Sequence, residues 1–125
     1  MTMHAALILA VAAGGSLGAL ARLLVATMSK SWIEGFPVGT FLINVTGCFA
    51  FGLLWALHDG QWSRPVVAAV FTGFLGAFTT FSTFAFESLD LLQQGRTLAF
   101  VGNVLGQNIL SVLSLSGGAW IGRCL

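Results

Sequence analysis

Charged residues are scarce in this 125-residue chain, which holds five lysines or arginines and four aspartates or glutamates, only 7% of the total. A soluble domain usually has about a quarter of its residues charged, so this composition cannot cover a water-facing surface. With 57% hydrophobic residues and a mean hydropathy of +0.94, the chain is predicted to be an integral membrane protein. The few cations form no basic patch, which excludes nucleic acid as a partner.

Cysteine and histidine are also rare, and their positions argue against a side-chain metal site. Cys48 lies within an apolar run and Cys124 near the C-terminus, at a spacing that fits neither a disulfide framework nor a zinc site. His4 and His58 have no acidic or cysteine partner at ligand spacing, so we interpret them as solvated residues near the membrane interface. The opening "MTMHAALILAVAAGG" lacks the positively charged region of a secretory signal and is expected to begin the first membrane helix.

Four apolar stretches are long enough to cross a membrane, which takes about 20 residues each. They run over residues 5–27, 38–57, 66–91 and 98–122. The connectors between them carry charge and turn residues such as Pro37 and Pro65, and the four tryptophans fall near the predicted span ends. The fold class predicted for residues 1–125 is therefore a single all-α, four-span membrane domain.

The distribution of charge leaves the orientation of the chain in the membrane open. With four spans, one side of the membrane carries Arg64 and Arg123, and the other carries Lys30 and Arg96, with Arg22 just inside the first span. The positive-inside rule has almost nothing to act on. Insertion in both orientations, which would allow an antiparallel pair of subunits, is a hypothesis at this point.

Small residues spaced four apart predict close helix packing. The pairs are Gly14 with Gly18, Gly102 with Gly106, and Gly118 with Gly122. Four thin helices enclose little volume, so a pore or a substrate cavity would need a second copy of the chain. A homodimer is the minimal expectation.

Polar residues inside membrane spans point to function, although each one here also has a structural interpretation. Arg22, near the end of the first span, either extends its charge to the interface or attracts an anion at a pore mouth. Asn44 in the second span either joins two helices by a hydrogen bond or offers its amide N–H groups to an anion. Glu87 and Asp90 close the third span near water, and no carboxylate lies deeper.

In the fourth span, Asn103, Gln107 and Ser111 recur every four residues and so share one helix face. A single polar residue commonly joins two helices. A row of three is more economically explained by a path lined for water or ions.

The stretch "GFLGAFTTFSTFAFE" at 73–87 combines helix-weakening and aromatic residues. Its glycines and threonines can interrupt a helix, which frees carbonyls for a cation and N–H groups for an anion. Phe78, Phe81 and Phe84 follow at a spacing of three and form a ridge. The ridge serves either packing or an anion, because aromatic ring edges are electropositive.

Three segments resemble the CrcB or Fluc fluoride channels of bacteria in order and spacing. They are "GGSLGALAR" at 14–22, "GTFLINVTGCFAFG" at 39–52 and "GFLGAFTTFSTFAFE" at 73–87. The resemblance implies an antiparallel, dual-topology homodimer in the bacterial inner membrane. Each subunit would have a third helix broken near mid-membrane, and two pores per dimer would export fluoride passively, with lipid around them.

The resemblance also implies roles for individual residues. Asn44 would be the pore amide, with Phe81 and Phe84 presenting their ring edges to fluoride. A structural sodium ion would be held at the dimer centre by the backbone carbonyls of Gly76 and Thr79. Arg22 would lie at the aqueous vestibule. The remaining pore positions implied by the resemblance are Ser82, Thr83, Glu87, Asn103, Gln107 and Ser111.

Three other classes of protein are weighed against a fluoride channel. A small four-span, dimeric multidrug or metabolite exporter would need a carboxylate deep in the membrane for proton exchange, and the first span has none. A non-transporting assembly subunit would explain the glycine pairs but neither the polar row nor the phenylalanine ridge. An enzyme is least favoured, because no nucleophile, base and orienting group occur together.

Overall fold

The computed structural model describes residues 2–125, and over that range it consists of helices and loops. The elements in chain order are α1 (Met3–Ser29), α2 (Val38–His58), α3 (Arg64–Val67), a π-helical segment (Ala68–Leu75), α4 (Gly76–Phe78), α5 (Phe81–Gln93) and α6 (Thr97–Cys124). Elements α3 to α5 follow one another without a loop longer than two residues and act as one span.

Four stretches are long and apolar enough to cross a membrane, which confirms the predicted number of spans. They are Met3–Ser29, Val38–His58, Arg64–Gln93 and Thr97–Cys124. Each extends the predicted stretch by at most two residues at either end, for example from 5–27 to 3–29. Helical geometry continues past the last apolar residue into polar positions such as Ser29 and Gln93, where hydropathy alone gives no signal.

Close packing of α2 against α6 forms the most extensive contact of the structure. A methyl group on Gly118 would collide with the carbonyl oxygen of Phe49, and one on Gly52 would collide with that of Leu115. Only glycine allows backbones to approach this closely. Gly122 is similarly close, since a methyl there would lie 2.8 Å from the carbonyl oxygen of Leu53.

The glycine pair of α1 allows the same close backbone approach to the third span. A methyl on Gly14 would collide with the carbonyl oxygen of Ala69, and one on Gly18 would collide with that of Phe74. The Gly102–Gly106 pair is different. A methyl on Gly102 would meet nothing within 4 Å, so this glycine makes no close backbone contact within the subunit.

The third span is interrupted midway between its ends. Thr79 and Thr80 have extended backbone, with φ and ψ of −78° and 157° and of −151° and 117°, and α5 begins at the next residue. β-Branched threonine favours this conformation. The Thr80 hydroxyl caps α5 by accepting a hydrogen bond from the Thr83 N–H at 3.3 Å. The π-helical segment before the interruption was not predicted.

Most of the apolar surface of the helices faces outward. Only 11–22% of the residues in the most apolar window of each span are buried. Exposed leucine, isoleucine and phenylalanine side chains occur on all four spans, as expected for a surface covered by lipid or by another subunit.

Candidate functional site

A cavity of about 390 Å³ lies between α2, the interrupted third span and α6. Its wall contains no lysine, arginine, aspartate or glutamate. The polar residues of the wall are Asn44, Thr79, Thr80, Gln107, Asn108 and Ser111, and its phenylalanines are Phe51, Phe71, Phe81 and Phe84. Uncharged donors and aromatic rings therefore meet where the helix is interrupted.

Asn44 on α2 pairs with the interrupted backbone. Its Oδ1 accepts from the Thr80 N–H at 2.9 Å, and its Nδ2 donates to the Thr80 carbonyl at 3.0 Å. The carboxamide thus takes the place of a neighbouring peptide unit. Nδ2 also donates to Gln107 Oε1 at 2.7 Å, so both of its N–H groups have partners.

Behind Asn44, the polar row of α6 continues as hydrogen bonds between buried side chains. Gln107 Nε2 donates to Asn103 Oδ1 at 2.9 Å, and Asn103 Nδ2 donates to Ser88 Oγ at 3.0 Å. Ser88 Oγ then donates to the Phe84 carbonyl at 2.7 Å. Asn103 is 0% exposed and Gln107 is 3% exposed. Ser111, the third predicted member of the row, lines the cavity instead.

Two phenylalanines of α5 stand at the cavity in different environments. The ring centroids of Phe81 and Phe84 are 5.5 Å apart and their planes are tilted by 54°. Phe84 is buried, with 8% exposure, whereas Phe81 is 76% exposed. The buried ring is held within the subunit, and the exposed one is free to contact another molecule.

The amino-terminal end of α5, which is the positive end of its helix dipole, faces the first cavity. Thr80 and Phe81 line the cavity, and the start of a helix carries a partial charge of about +0.5. Ser82 and Thr83, both exposed, lie in this first turn, and Thr83 Oγ1 is 2.9 Å from Thr80 Oγ1. An anion at the interruption would therefore meet a positive field without meeting a charged side chain.

The interruption also removes the helical donors of several carbonyl groups, among them those of Gly76 and Thr79. In a continuous α-helix the Gly76 carbonyl would accept from the Thr80 N–H, and the Thr79 carbonyl would accept from the Thr83 N–H. Here the Thr80 N–H donates to Asn44, and the Thr83 N–H donates to the Thr80 hydroxyl. Gly76 and Thr79 both line the cavity.

Glu87 belongs to a second cavity, of about 220 Å³, near one end of the bundle. Its Oε1 accepts from the Thr40 hydroxyl at 2.8 Å, while its Oε2 is buried without a hydrogen-bond partner. Lys30 and Arg96 also line this cavity, and Arg96 donates to the Gly35 carbonyl, which joins two connectors. The structure thus separates Glu87 from the cavity that holds Asn44.

The sequence of this chain matches a known protein family and several named proteins. Residues 9–119 match the family described as CrcB-like protein, Camphor Resistance (CrcB). The chain is 46% identical over 112 residues to a protein named Fluoride-specific ion channel FluC from Nitratidesulfovibrio vulgaris, covering 87% of this chain and 90% of that one. The chain belongs to the CrcB family.

Further CrcB relatives match over nearly their whole length. Proteins with the same name from Maridesulfovibrio salexigens and Paracoccus denitrificans are each 40% identical to this chain, over 118 and 117 residues, and 94% of each is covered. The family match from residue 9 to residue 119 includes every candidate site residue named above.

Several candidate positions of this CrcB protein lie outside the wall of the first cavity. Arg22 is half-buried on α1 and lines neither of the two cavities. Asn103 lies behind the first cavity and not in its wall. The structure therefore brings together Asn44, Gln107, Ser111, the two phenylalanines and the carbonyls of Gly76 and Thr79. The candidate positions outside the cavity wall are Arg22, Ser82, Thr83, Glu87 and Asn103.

Sequence reasoning missed Thr80 in the cavity wall, Ser88 as the hydrogen-bond partner of Asn103 behind the wall, and Thr40 as the partner of Glu87. A signal was available, because Thr40 precedes Asn44 by four residues and Thr80, Phe84 and Ser88 follow one another at the same spacing. Each of these positions shares a helix face with a residue that was chosen. A search for polar residues one turn away from the chosen ones would have found them.

Proposed function

We propose that this CrcB protein is a fluoride channel that conducts fluoride passively out of the cytoplasm. The observation that carries the proposal is the cavity at the interruption, whose wall offers amides, hydroxyls, aromatic rings and a helix amino terminus but no charged side chain. Such a site attracts a small anion weakly enough to release it again, which conduction requires. The relatives named as fluoride-specific channels support the choice of ion.

Selectivity for fluoride follows from replacing its water shell at short range. Fluoride is small and strongly hydrated, so donors must stand close together to compensate for lost water. Asn44 supplies N–H groups from the cavity wall, and Ser82 and Thr83 carry O–H groups in the exposed first turn of α5. The edges of Phe81 and Phe84 add weak positive potential. A narrow path of this kind penalises a larger anion such as chloride.

The functional unit is an antiparallel homodimer of dual topology with two pores, in the bacterial inner membrane. The nearly equal positive charge of the segments on the two sides of the membrane favours insertion in both orientations. Phe81 is 76% exposed beside the cavity, and Ser82 and Thr83 are exposed in the next two positions. A second copy would enclose these residues, and each subunit would then contribute one cavity to one pore.

A structural sodium ion at the dimer centre fits the interruption, because the interruption leaves carbonyl acceptors beside the cavity. The carbonyls of Gly76 and Thr79 lose their helical donors, whereas the N–H groups of Thr80 and Thr83 find new partners. Among residues 2–125, no three His, Cys, Asp or Glu side chains are grouped to hold a metal. The sodium ion would therefore be held by backbone carbonyls and would supply positive charge near the pores.

The alternative of a proton-coupled multidrug or metabolite exporter is less well supported. Such an exporter needs a carboxylate that alternates between proton and substrate. Glu87 is the carboxylate nearest in sequence to the interruption, but it lines the other cavity with Lys30 and Arg96. The wall around Asn44 contains no acidic residue.

Ion efflux from proteoliposomes, with fluoride and chloride compared side by side, tests the proposal. We expect the wild type to release fluoride and not chloride, and we expect Phe81→Ile and Asn44→Asp each to abolish fluoride release. Phe86→Ile is the matched control, because Phe86 is also exposed, at 71%, but does not line the cavity. Undiminished flux in both Phe81→Ile and Asn44→Asp would refute the pore assignment.

The sodium site has a separate test. Complete exchange of sodium for a large organic cation should reduce fluoride efflux and lower the melting temperature of the purified protein, with both restored by returning sodium. Full activity and unchanged melting after exhaustive exchange would refute the sodium site while leaving the pore assignment intact.

A further inference from the structure

The hydrogen bonds behind the cavity run in one direction only. Starting from Asn44 Nδ2, each group donates to the next: Asn44 to Gln107, Gln107 to Asn103, Asn103 to Ser88, and Ser88 to the Phe84 carbonyl. At the other end, Asn44 Oδ1 accepts from the Thr80 N–H. We call these linked groups the amide row.

Both ends of the amide row are backbone groups of the same segment. Thr80 contributes an N–H, which can only donate, and Phe84 contributes a carbonyl, which can only accept. The row leaves this segment, crosses α2 and α6, and returns one turn further along α5. Its direction is therefore set at both ends by groups that cannot reverse.

Reversing a single amide within the row would lose two hydrogen bonds. If Asn103 turned over, its NH₂ would face the NH₂ of Gln107, and the Ser88 hydroxyl would have to leave the Phe84 carbonyl to donate to the Asn103 oxygen. Water cannot compensate, because Asn103 and Gln107 are 0% and 3% exposed and Ser88 is 5% exposed. Each carboxamide in the row consequently has one allowed orientation.

From this geometry we infer that Ser88 and Asn103 are positioning residues that hold the Gln107 carboxamide with its oxygen toward the Asn44 N–H that the pairing with Thr80 leaves free. The inference rests on the proposed fluoride channel and adds residues that act without touching the ion. Ser88 sets the direction of Asn103, Asn103 sets that of Gln107, and Gln107 oxygen draws one Asn44 N–H toward the cavity wall.

The amide row also identifies which N–H of Asn44 an anion can use. One N–H belongs to the two-bond pairing with Thr80, and the other makes a single bond to Gln107 Oε1. An arriving anion replaces the Gln107 oxygen, since this costs one hydrogen bond and leaves the pairing with Thr80 intact. Gln107 thus holds the place of the ion between permeation events.

Ser88→Ala tests the amide row at the residue farthest from Asn44. It removes the acceptor for Asn103, and we expect fluoride efflux to fall by about tenfold. Ser88→Thr keeps a hydroxyl and should restore most of the flux. Ser116→Ala is the matched control, because Ser116 also donates to the carbonyl four residues before it, at 2.9 Å, but is exposed and outside the row.

A spectroscopic measurement separates positioning from general loss of stability. The chain has three asparagines, Asn44, Asn103 and Asn108, so protein labelled with ¹⁵N-asparagine gives only three side-chain amide pairs. In Ser88→Ala we expect the signals of Asn44 and Asn103 to shift and that of Asn108 to stay. In Ser116→Ala all three should stay. Fluoride added to the wild type should shift Asn44 most.

The outcomes distinguish this inference from the proposed function. Unmoved Asn44 signals in folded Ser88→Ala, or equal effects in Ser116→Ala, would overturn the amide row as a positioning device. If Ser88→Ala does not fold, Gln107→Met cuts the row at its other end, and an unchanged Asn44 signal there overturns the inference equally. A wild type without fluoride flux refutes the channel, while the spectra still decide whether the row exists.

Discussion

The two halves of the third span are held in place by different forces. Before the interruption, the π-helical segment and α4 pack on α1 through direct backbone contact, with Gly14 against Ala69 and Gly18 against Phe74. After it, α5 makes fewer contacts with α2 and α6 and is fixed by hydrogen bonds from Asn44 and Asn103. Close backbone packing therefore holds the first half in place, and hydrogen bonds hold the second half.

The difference shows how a membrane protein can join a rigid support to a functional segment. Lipid is as apolar as a leucine side chain, so helices associate through close packing and through polar contacts. Close packing leaves no space for an ion, whereas polar pairing places donors beside a cavity. The interruption at Thr79 and Thr80 is where one mode of stabilisation gives way to the other.

Gly18→Val should have the largest effect, because its side chain would collide with the Phe74 carbonyl in the first half. We expect the free energy of unfolding in detergent to fall by more than about 3 kcal/mol, beyond the usual cost of overpacking, since backbone must move. Gly117→Val is the matched control, because nothing lies within 4 Å of a methyl at Gly117. Equal losses in the two variants would contradict the role of close backbone contact.

Gly73→Ala should have an intermediate effect. Its methyl would lie 2.8 Å from the Val11 carbonyl oxygen and 3.0 Å from the Gly15 nitrogen, and we expect a loss of about 2 kcal/mol in unfolding free energy. Gly76→Ala, three residues later, would meet only the Phe71 carbonyl at 3.5 Å and should change stability little. Thermal melting of both variants tests this difference. A lower melting temperature for Gly73→Ala than for Gly76→Ala would show that the tight packing ends before Gly76. A lower melting temperature for Gly76→Ala than for Gly73→Ala would contradict that end point of the tight packing.

Thr80→Val should have the smallest effect on stability, and it falls on the second half. It removes the hydroxyl that caps α5 through the Thr83 N–H while leaving the backbone pairing with Asn44 in place. Loss of such a cap costs about 1 kcal/mol. Thr46→Val is the control, since the exposed Thr46 hydroxyl donates only to carbonyls of its own helix, those of Leu42 and Ile43. A control that melts as early as Thr80→Val would mean that the cap contributes nothing specific.

Hydropathy was sufficient to find the four spans, because each is a continuous apolar run bounded by charge and turn residues. The four-residue spacing of Asn103 and Gln107 also predicted a shared face, and the two side chains are hydrogen-bonded. Both inferences depend on local periodicity. Neither requires knowing which helices are neighbours.

Properties that depend on the relative placement of helices were not accessible from sequence. The pairing of Asn44 with Thr80 joins residues 36 positions apart, and the bond from Asn103 to Ser88 depends on how far α5 slides along α6. Glycine spacing gave the same prediction for Gly102 as for Gly118, yet only Gly118 meets a neighbouring backbone. The amino-acid composition of residues 68–75 gave no signal that distinguishes a π-helix from an α-helix.

The pairing of Asn44 with Thr80 has a consequence for biogenesis. Because one carboxamide satisfies both the N–H and the carbonyl of Thr80, the donor at the kink is saturated by a residue from the preceding span of the same polypeptide. By the time α2 and the third span have both been released into the bilayer, the N–H and the carbonyl of Thr80 need neither water nor a second copy as partners. This pairing can therefore form in each copy at insertion, before that copy meets another by diffusion in the membrane.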